Sequence, residues 1–142
     1  MSGVEILIVE DSPEDLEIML HSLKKHNFVN NIHVAEDGAM AVDYLLNETT
    51  PLGKLSDLRV VFLDLKLPKM NGIEVLEAIR KNERTKALPV VVLTSSQEEP
   101  DLRRCYELGV NSYIVKPVQF EQFTKVIAEL GLYWLILNKV PS

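Results

Sequence analysis

Cysteine is almost missing from this chain. Cys105 stands alone, so no intramolecular disulfide can form. The fold cannot rest on oxidation, and a reducing cytoplasm is the expected setting. The first residues, Met-Ser-Gly-Val-Glu, hold no basic segment followed by an apolar one, so no signal peptide is expected. The longest apolar stretch near the C-terminus, Leu132–Leu137, is far too short to span a membrane. Positive charge is also in deficit. Lys and Arg number 15 against 21 Asp and Glu, for a net charge of −6. Nonspecific nucleic-acid binding needs clustered positive charge, so neither nucleic acid nor membrane is an expected partner. There is no internal repeat, no low-complexity tract and no linker long enough to divide two domains. One domain is expected over residues 4–138.

What the chain does have is apolar substance in alternating patterns. Apolar residues make up 46% of the 142 positions, enough for a real core. Continuous apolar runs predict strands at Val4–Val9, Leu58–Leu63 and Pro89–Leu93, with further strands at Asn31–Ala35 and Ser112–Val115. Between them fall helical stripes. Leu16, Met19, Leu20 and Leu23 follow the start signal Ser12-Pro13-Glu14-Asp15, in which Ser12 caps, Pro13 suits the first turn and the acids favour the positive end. Val42, Leu45 and Leu46 follow Asp37-Gly38. Ile73, Leu76 and Ile79 follow Asn71-Gly72. A fourth helix runs from about Pro100 and stops before Gly109. A last one runs from about Gln119 to near Asn138, with Phe123, Val126, Ile127 and Leu130 as its stripe. Strands apolar on both faces belong in a parallel sheet covered by helices. The expected fold class is therefore a doubly wound α/β domain. Asn31–Ala35, which alternates apolar with polar, reads as an edge strand.

In such a sheet ligands bind at the carboxyl ends of the strands. Each strand end carries a chemical group. The first gives Glu10-Asp11, the third Asp64, the fourth Thr94-Ser95 and the fifth Lys116-Pro117. The second gives Glu36-Asp37, off centre. Crowded carboxylates destabilise one another unless they protonate or bind a cation. A hard divalent ion such as Mg²⁺ matches oxygen ligands and neutralises Glu10, Asp11 and Asp64 once Lys116 is counted. A carboxylate can also attack phosphorus, which makes Asp64 a candidate nucleophile. Lys116 would then balance charge on the transferred group, and the Thr94 hydroxyl would bond one of its oxygens. Plainer readings exist for each residue alone. Glu10-Asp11 could be a helix cap, Thr94 a hydroxyl bonded to backbone, Asp64 a cap for the turn before Pro68, and Lys116-Pro117 a surface dipeptide. The case for a site rests on four groups sharing the ends of four central strands.

The segments ILIVEDS (Ile6–Ser12), VVFLDLKLPKMNG (Val60–Gly72), VVVLTSS (Val90–Ser96) and YIVKP (Tyr113–Pro117) together resemble the receiver domain of two-component response regulators. The resemblance covers roughly Val4 to Leu130. It implies a flavodoxin-like (βα)5 receiver fold with the parallel sheet order 2-1-3-4-5. It implies that Asp64 accepts a phosphoryl group from a phosphohistidine on a sensor histidine kinase. It implies Mg²⁺ (or Mn²⁺) held by Glu10 largely through water, by Asp11, by Asp64 and by the backbone carbonyl of Lys66. Thr94 and Lys116 would contact the phosphoryl group, and Tyr113 would be the aromatic switch residue paired with Thr94. The Lys116–Pro117 bond would be cis, which only proline makes inexpensive.

Two departures stand out. Glu10 is one methylene longer than the aspartate many members carry, and the loop Asn47–Asp57 is long for the family and reads as a tolerated surface loop. No output domain is expected to follow, so the signal would leave through noncovalent contact. The expected surface is the fourth helix, fifth strand and fifth helix, read by a downstream protein of unknown identity. The apolar ending Leu130–Leu137 is similar to that of stand-alone regulators paired with bacterial phytochrome-type kinases. Leu130, Trp134 and Leu137 would extend the core stripe, while Leu132, Tyr133 and Ile136 would point elsewhere, either simply buried by folding over the domain or forming a homodimer surface.

Competing functions are weaker. A haloacid-dehalogenase-type phosphatase normally needs a second acid two residues after its aspartate, and Lys66 stands there. No enzyme acting on external substrates is expected, only self-catalysed phosphorylation and dephosphorylation of Asp64. A flavodoxin-like cofactor binder would need a phosphate-cradling loop after the first strand, and none is present. A phosphorylation-independent scaffold of the same fold is the principal alternative. His21, His26 and His33 read as ordinary surface residues rather than phosphodonors.

Overall fold

The computed structural model describes residues 5–26, 31–47 and 58–139. Five strands form one parallel sheet: β1 Glu5–Val9, β2 Asn31–Ala35, β3 Leu58–Leu63, β4 Val90–Thr94 and β5 Ser112–Val115, in the order β2-β1-β3-β4-β5. Five helices connect or follow them: α1 Pro13–Lys25, α2 Gly38–Leu46, α3 Gly72–Lys81, α4 Glu99–Glu107 and α5 Phe120–Gly131. The expected doubly wound fold and strand order are the observed ones. Most of the loop before β3, residues 48–57, lies outside the described residues.

The pleat explains the layers. Alternate strand residues point to opposite faces. Leu7, Val9, Val61, Leu63, Val90 and Val92 meet Ala41, Leu45, Val75, Leu76, Ile79 and Cys105 on the face covered by α2, α3 and α4. Ile6, Ile8, Val60, Phe62, Val91 and Leu93 meet Met19, Leu23, Phe123 and Ile127 on the face covered by α1 and α5. Each such aliphatic side chain removed from water contributes about 1.5–3 kcal/mol before entropy is charged against it. Val42 and Leu46 of α2 are half-buried at the margin of the first layer, and the inward position expected of them is taken mainly by Ala41 and Leu45.

The chain beyond α5 departs from the expected single helix. Leu132–Leu137 winds as a π-helix, closed by the Asn138 N–H donating to Tyr133 O at 2.6 Å. The wider turn shifts the phase of the stripe. Trp134 and Leu135 are buried with Leu130, while Leu137 is 61% exposed. Leu135, five residues after Leu130, thus fills the place that α-helical spacing assigns to Leu137. Leu132, Tyr133 and Ile136 point away from the core stripe and are exposed, not buried against the domain.

Two glycines let backbones meet beneath the carboxyl edge. A Cβ on Gly38 would stand 1.8 Å from the Met70 carbonyl oxygen, and one on Gly72 would stand 2.2 Å from the Asp64 carbonyl oxygen. The Gly72 N–H donates to Leu65 O at 2.8 Å, so the start of α3 is sewn to the chain just after Asp64. Gly72→Ala must push these backbones apart, and is expected to cost about 1–3 kcal/mol. A fall of several degrees in the thermal midpoint would show it, and an unchanged midpoint would contradict the packing described.

Candidate functional site

The sheet delivers its chemical groups in register. Val9 pairs with Leu63, and the ladder continues one step as the Asp64 N–H donates to Val9 O at 3.0 Å. On the other side of β1 the Glu10 N–H donates to Ala35 O at 3.0 Å. Past β5, the Lys116 N–H donates to Thr94 O at 2.7 Å. Glu10, Asp64, Thr94 and Lys116 are therefore fixed by main-chain bonds at one edge. Glu10 and Asp64 are buried, and Asp11, the next residue, is exposed. Carboxylate oxygens of Glu10, Asp11 and Asp64 all lie within 4.8 Å of one another.

One ammonium reaches into this group. Lys116 Nζ stands 2.7 Å from Glu10 Oε1, 2.8 Å from Asp15 Oδ2 and 3.0 Å from Asp64 Oδ2. The remaining oxygens find amides. Glu10 Oε2 accepts from the Ser12 N–H at 3.1 Å, and Asp64 Oδ1 accepts from the Lys66 N–H at 3.3 Å. Burial pushes the Glu10 carboxyl up to about 7; the Lys116 hydrogen bond opposes this and the Asp64 charge adds to it. Burial works against the Lys116 charge, but hydrogen bonds to Asp15 and Glu10 and the charges of Asp64 and Glu10 outweigh it. Its pKa lies above the ordinary lysine value.

Thr94 is fully buried at the end of β4, and its Oγ1 accepts from the Ser96 N–H at 3.3 Å. Tyr113 is half-buried on β5 and its hydroxyl donates to Ser96 O at 2.9 Å. The Ser96 hydroxyl in turn donates to Asp101 Oδ2 on α4 at 2.6 Å. Thr94 and Tyr113 thus meet through the backbone of Ser96 rather than directly.

Several expectations need correction. Among the described residues no peptide bond is cis, so the Lys116–Pro117 bond is trans. The trans form is the ground state of an ordinary X–Pro bond, and Lys116 reaches its carboxylates from it. His33 is not an ordinary surface residue. Its Nε2 lies 2.5 Å from Glu5 Oε1, and its ring tilts against Tyr44 at 5.1 Å between centroids. His21 and His26 are exposed. Asp37 caps α2, with Met40 N–H donating to Oδ1 at 2.7 Å, and stays apart from the cluster. Asp15 is the residue the sequence reading missed. It carries the spacing of an N-terminal helix acid, and nothing local signals its contact with a lysine 101 positions away.

The donor set suits a divalent ion. The carboxylates of Glu10, Asp11 and Asp64 converge, two of them buried, and a single ammonium meets Glu10, Asp64 and Asp15. Hard cations take such all-oxygen sites.

An acidic, lysine-paired edge on a doubly wound parallel sheet is the arrangement on which the comparisons with known proteins converge. The chain belongs to the response regulator receiver domain family, whose sequence model matches residues 6–128. It is 43% identical over 138 residues to the probable methanogenesis regulatory protein FilR2 of Methanothrix harundinacea, covering 96% of this chain and 87% of that one. It is 35% identical over 141 residues to the response regulator Rcp1 of Synechocystis, covering 96% and 92%. The crystal structure of Mn²⁺-bound Rcp1 superposes with a TM-score of 0.88 at 33% identity, over 98% of this chain and 99% of that one. The bacteriophytochrome response regulator AtBRR superposes with a TM-score of 0.70 at 49% identity, over 96% and 98%. Among the described residues no helix is long and apolar enough to cross a membrane.

The raised Glu10 pKa has a consequence for stability. Below its unfolded value of 4.5 the protonated carboxyl contributes fully, and that contribution is lost as pH rises through about 7. Without divalent ions, the thermal midpoint is expected to fall between about pH 5 and pH 8, and Glu10→Gln should flatten that fall. Added Mg²⁺ should raise the midpoint more at the upper end than at the lower. Parallel profiles for parent and variant would refute the assignment.

Proposed function

We propose that this protein is a response regulator that takes a phosphoryl group onto Asp64 from a phosphohistidine of a sensor histidine kinase. The observation that carries the reading is Lys116 Nζ at 3.0 Å from Asp64 Oδ2, inside a buried edge with Glu10. An Asp64 oxygen attacks the phosphorus, the P–N bond breaks, and its electron pair returns to the histidine nitrogen. Glu10, Asp11, Asp64 and the Lys66 carbonyl would hold Mg²⁺ or Mn²⁺, which when bound supplies positive charge for the phosphoryl oxygens. Lys116 supplies the protein's own charge there and already stands at the carboxylate that reacts. The Thr94 hydroxyl, whose oxygen accepts from the Ser96 amide, would donate its own proton to a phosphoryl oxygen. That contact alters the Ser96 backbone to which Tyr113 is tied, and so couples the edge to α4 and β5.

Similarity to the bacteriophytochrome response regulator AtBRR supports a phytochrome-type kinase as the donor. The α4–β5–α5 surface is the proposed output face, read by a downstream protein or by a second copy. Tyr106, Val115, Leu132, Tyr133, Ile136 and Leu137 are exposed along or near it, which supports a homodimer that also uses the C-terminal segment. The domain comprises residues 4–138. It turns over no external substrate and catalyses only its own phosphorylation and dephosphorylation. A phosphorylation-independent scaffold would have no use for an ammonium buried against three carboxylates.

Incubation with acetyl phosphate and Mg²⁺ should add the mass of one phosphoryl group, and Asp64→Asn should abolish the gain. Uptake by Asp64→Asn would end the Asp64 assignment, and none by the parent would end this reading in favour of the scaffold. Light scattering should show the dimer fraction rising with a phosphoryl mimic; a monomer under both conditions would remove the dimer.

A further inference from the structure

Asp15 sits at the third position of α1, where an acid ordinarily turns back to the amide of the capping residue. In α3 that happens. The Asn71 N–H donates to Glu74 Oε1 at 3.2 Å, and the Glu74 N–H donates to Asn71 Oδ1 at 3.0 Å. In α1 only half of the arrangement is present. The Asp15 N–H donates to Ser12 Oγ at 3.3 Å, but the Ser12 N–H is held by Glu10 Oε2 at 3.1 Å. The Asp15 carboxylate is thereby released from its local task and bonds Lys116 Nζ at 2.8 Å. Its side chain is 27% exposed, against 9% for Lys116. An ion pair with a partner that wet adds little to stability, so its value lies in where it holds the ammonium.

The ammonium has three N–H groups, and the structure gives it three carboxylate acceptors. Glu10 and Asp64 are the two that a divalent ion would also claim. Asp15 is the one it would not. We propose that Asp15 is a positioning residue for Lys116, holding the ammonium to one side so that Glu10 and Asp64 can turn to a cation while the lysine stays within reach of a group arriving on Asp64. The proposal rests on the functional reading above for its second half and on geometry alone for its first.

Mg²⁺ titration by calorimetry on the full chain separates the two halves. Without Asp15, Lys116 leans wholly on Glu10 and Asp64 and competes harder with the ion. Asp15→Asn should weaken Mg²⁺ binding by about three- to tenfold, in keeping with one charge-assisted hydrogen bond. Asp15→Glu, which keeps the charge, should recover most of it. In a Lys116→Ala background, Asp15→Asn should change the affinity by less than about twofold, since only a remote charge remains to be lost. Thermal melts confirm that each variant is folded at the titration temperature, and Asp15→Ala, with the same expected loss, carries the test should Asp15→Asn fail to fold. An equal loss with and without Lys116 would overturn the proposal, as would no loss in Asp15→Asn or no Mg²⁺ uptake by the parent. Phosphoryl uptake followed by intact mass should fall in the same order. If the parent takes up no phosphoryl group while the Mg²⁺ pattern holds, the functional reading fails and the positioning role stands.

Discussion

Everything at the carboxyl edge depends on one ammonium set among buried acids. Removing a carboxylate from water costs several kcal/mol, and Glu10 and Asp64 are both buried within carboxylate contact of each other. Lys116 makes this tolerable in the absence of a metal ion. It does so from the end of β5, two strands away from β3, its main chain tied to the end of β4 by the Lys116 N–H donating to Thr94 O. The strand order therefore matters more than any loop. With β1 and β3 adjacent, two acids meet without a turn between them. With β5 beyond β4, the lysine arrives from the side and leaves the solvent face of the cluster open, where Asp11 stands exposed.

The loop after β3 supplies the second constraint. Lys69 has φ of 67°, a left-handed conformation that non-glycine residues seldom adopt. The Met70 N–H donates to Pro68 O at 2.7 Å, and the Gly38 N–H donates to Pro68 O at 3.4 Å. Lys69 Nζ lies 3.5 Å from Asp37 Oδ2. A strained residue held from several directions ties α2 and α3 to the segment that carries Asp64. Gly72 and Gly38 are the positions where that closeness leaves no room for a Cβ.

Much of this was legible in the sequence, and the limits have physical causes. Patterning identified β1, β3 and β4 because Ile6–Val9, Val60–Leu63 and Val90–Leu93 are apolar on both faces, as a covered parallel sheet accepts, and β2 because its apolar and polar residues alternate. Strand ends then located Glu10, Asp64, Thr94 and Lys116, since register is a local property once the strands are known. Asp15 was invisible because its partner is chosen by tertiary packing, and its helix-start spacing already had a sufficient explanation. The burial of Leu135 in place of Leu137 was missed because the stripe was counted at α-helical spacing, and a π-turn advances further for each revolution. The bond before Pro117 follows the ordinary trans preference of the peptide, where the family resemblance implies cis.

The helices are not equally bound to the sheet, and the inequality bears on where a change at Asp64 can go. α3 buries Val75, Leu76 and Ile79, and Arg80 from its last turn donates to the carbonyls of Leu108, Lys86, Leu88 and Gly109. α4 buries only Cys105 fully and begins without a side-chain cap. Its remaining ties are polar and few: Ser96 to Asp101 at its start, Arg104 to Glu77 at 2.7 Å near its end, and the turn that Arg80 clamps beyond it. Displacing α3 exposes several aliphatic side chains at about 1.5–3 kcal/mol each, whereas shifting the first turn of α4 exchanges hydrogen bonds that water can replace. The anchored end lies at Gly109 and the loosely held end lies at Ser96, next to Thr94. A rearrangement at the strand edge therefore meets the least resistance along the first turn of α4 and the Ser96 segment before it, to which the Tyr113 hydroxyl is bonded, and this supports that face, rather than α2 or α3, as the proposed output surface.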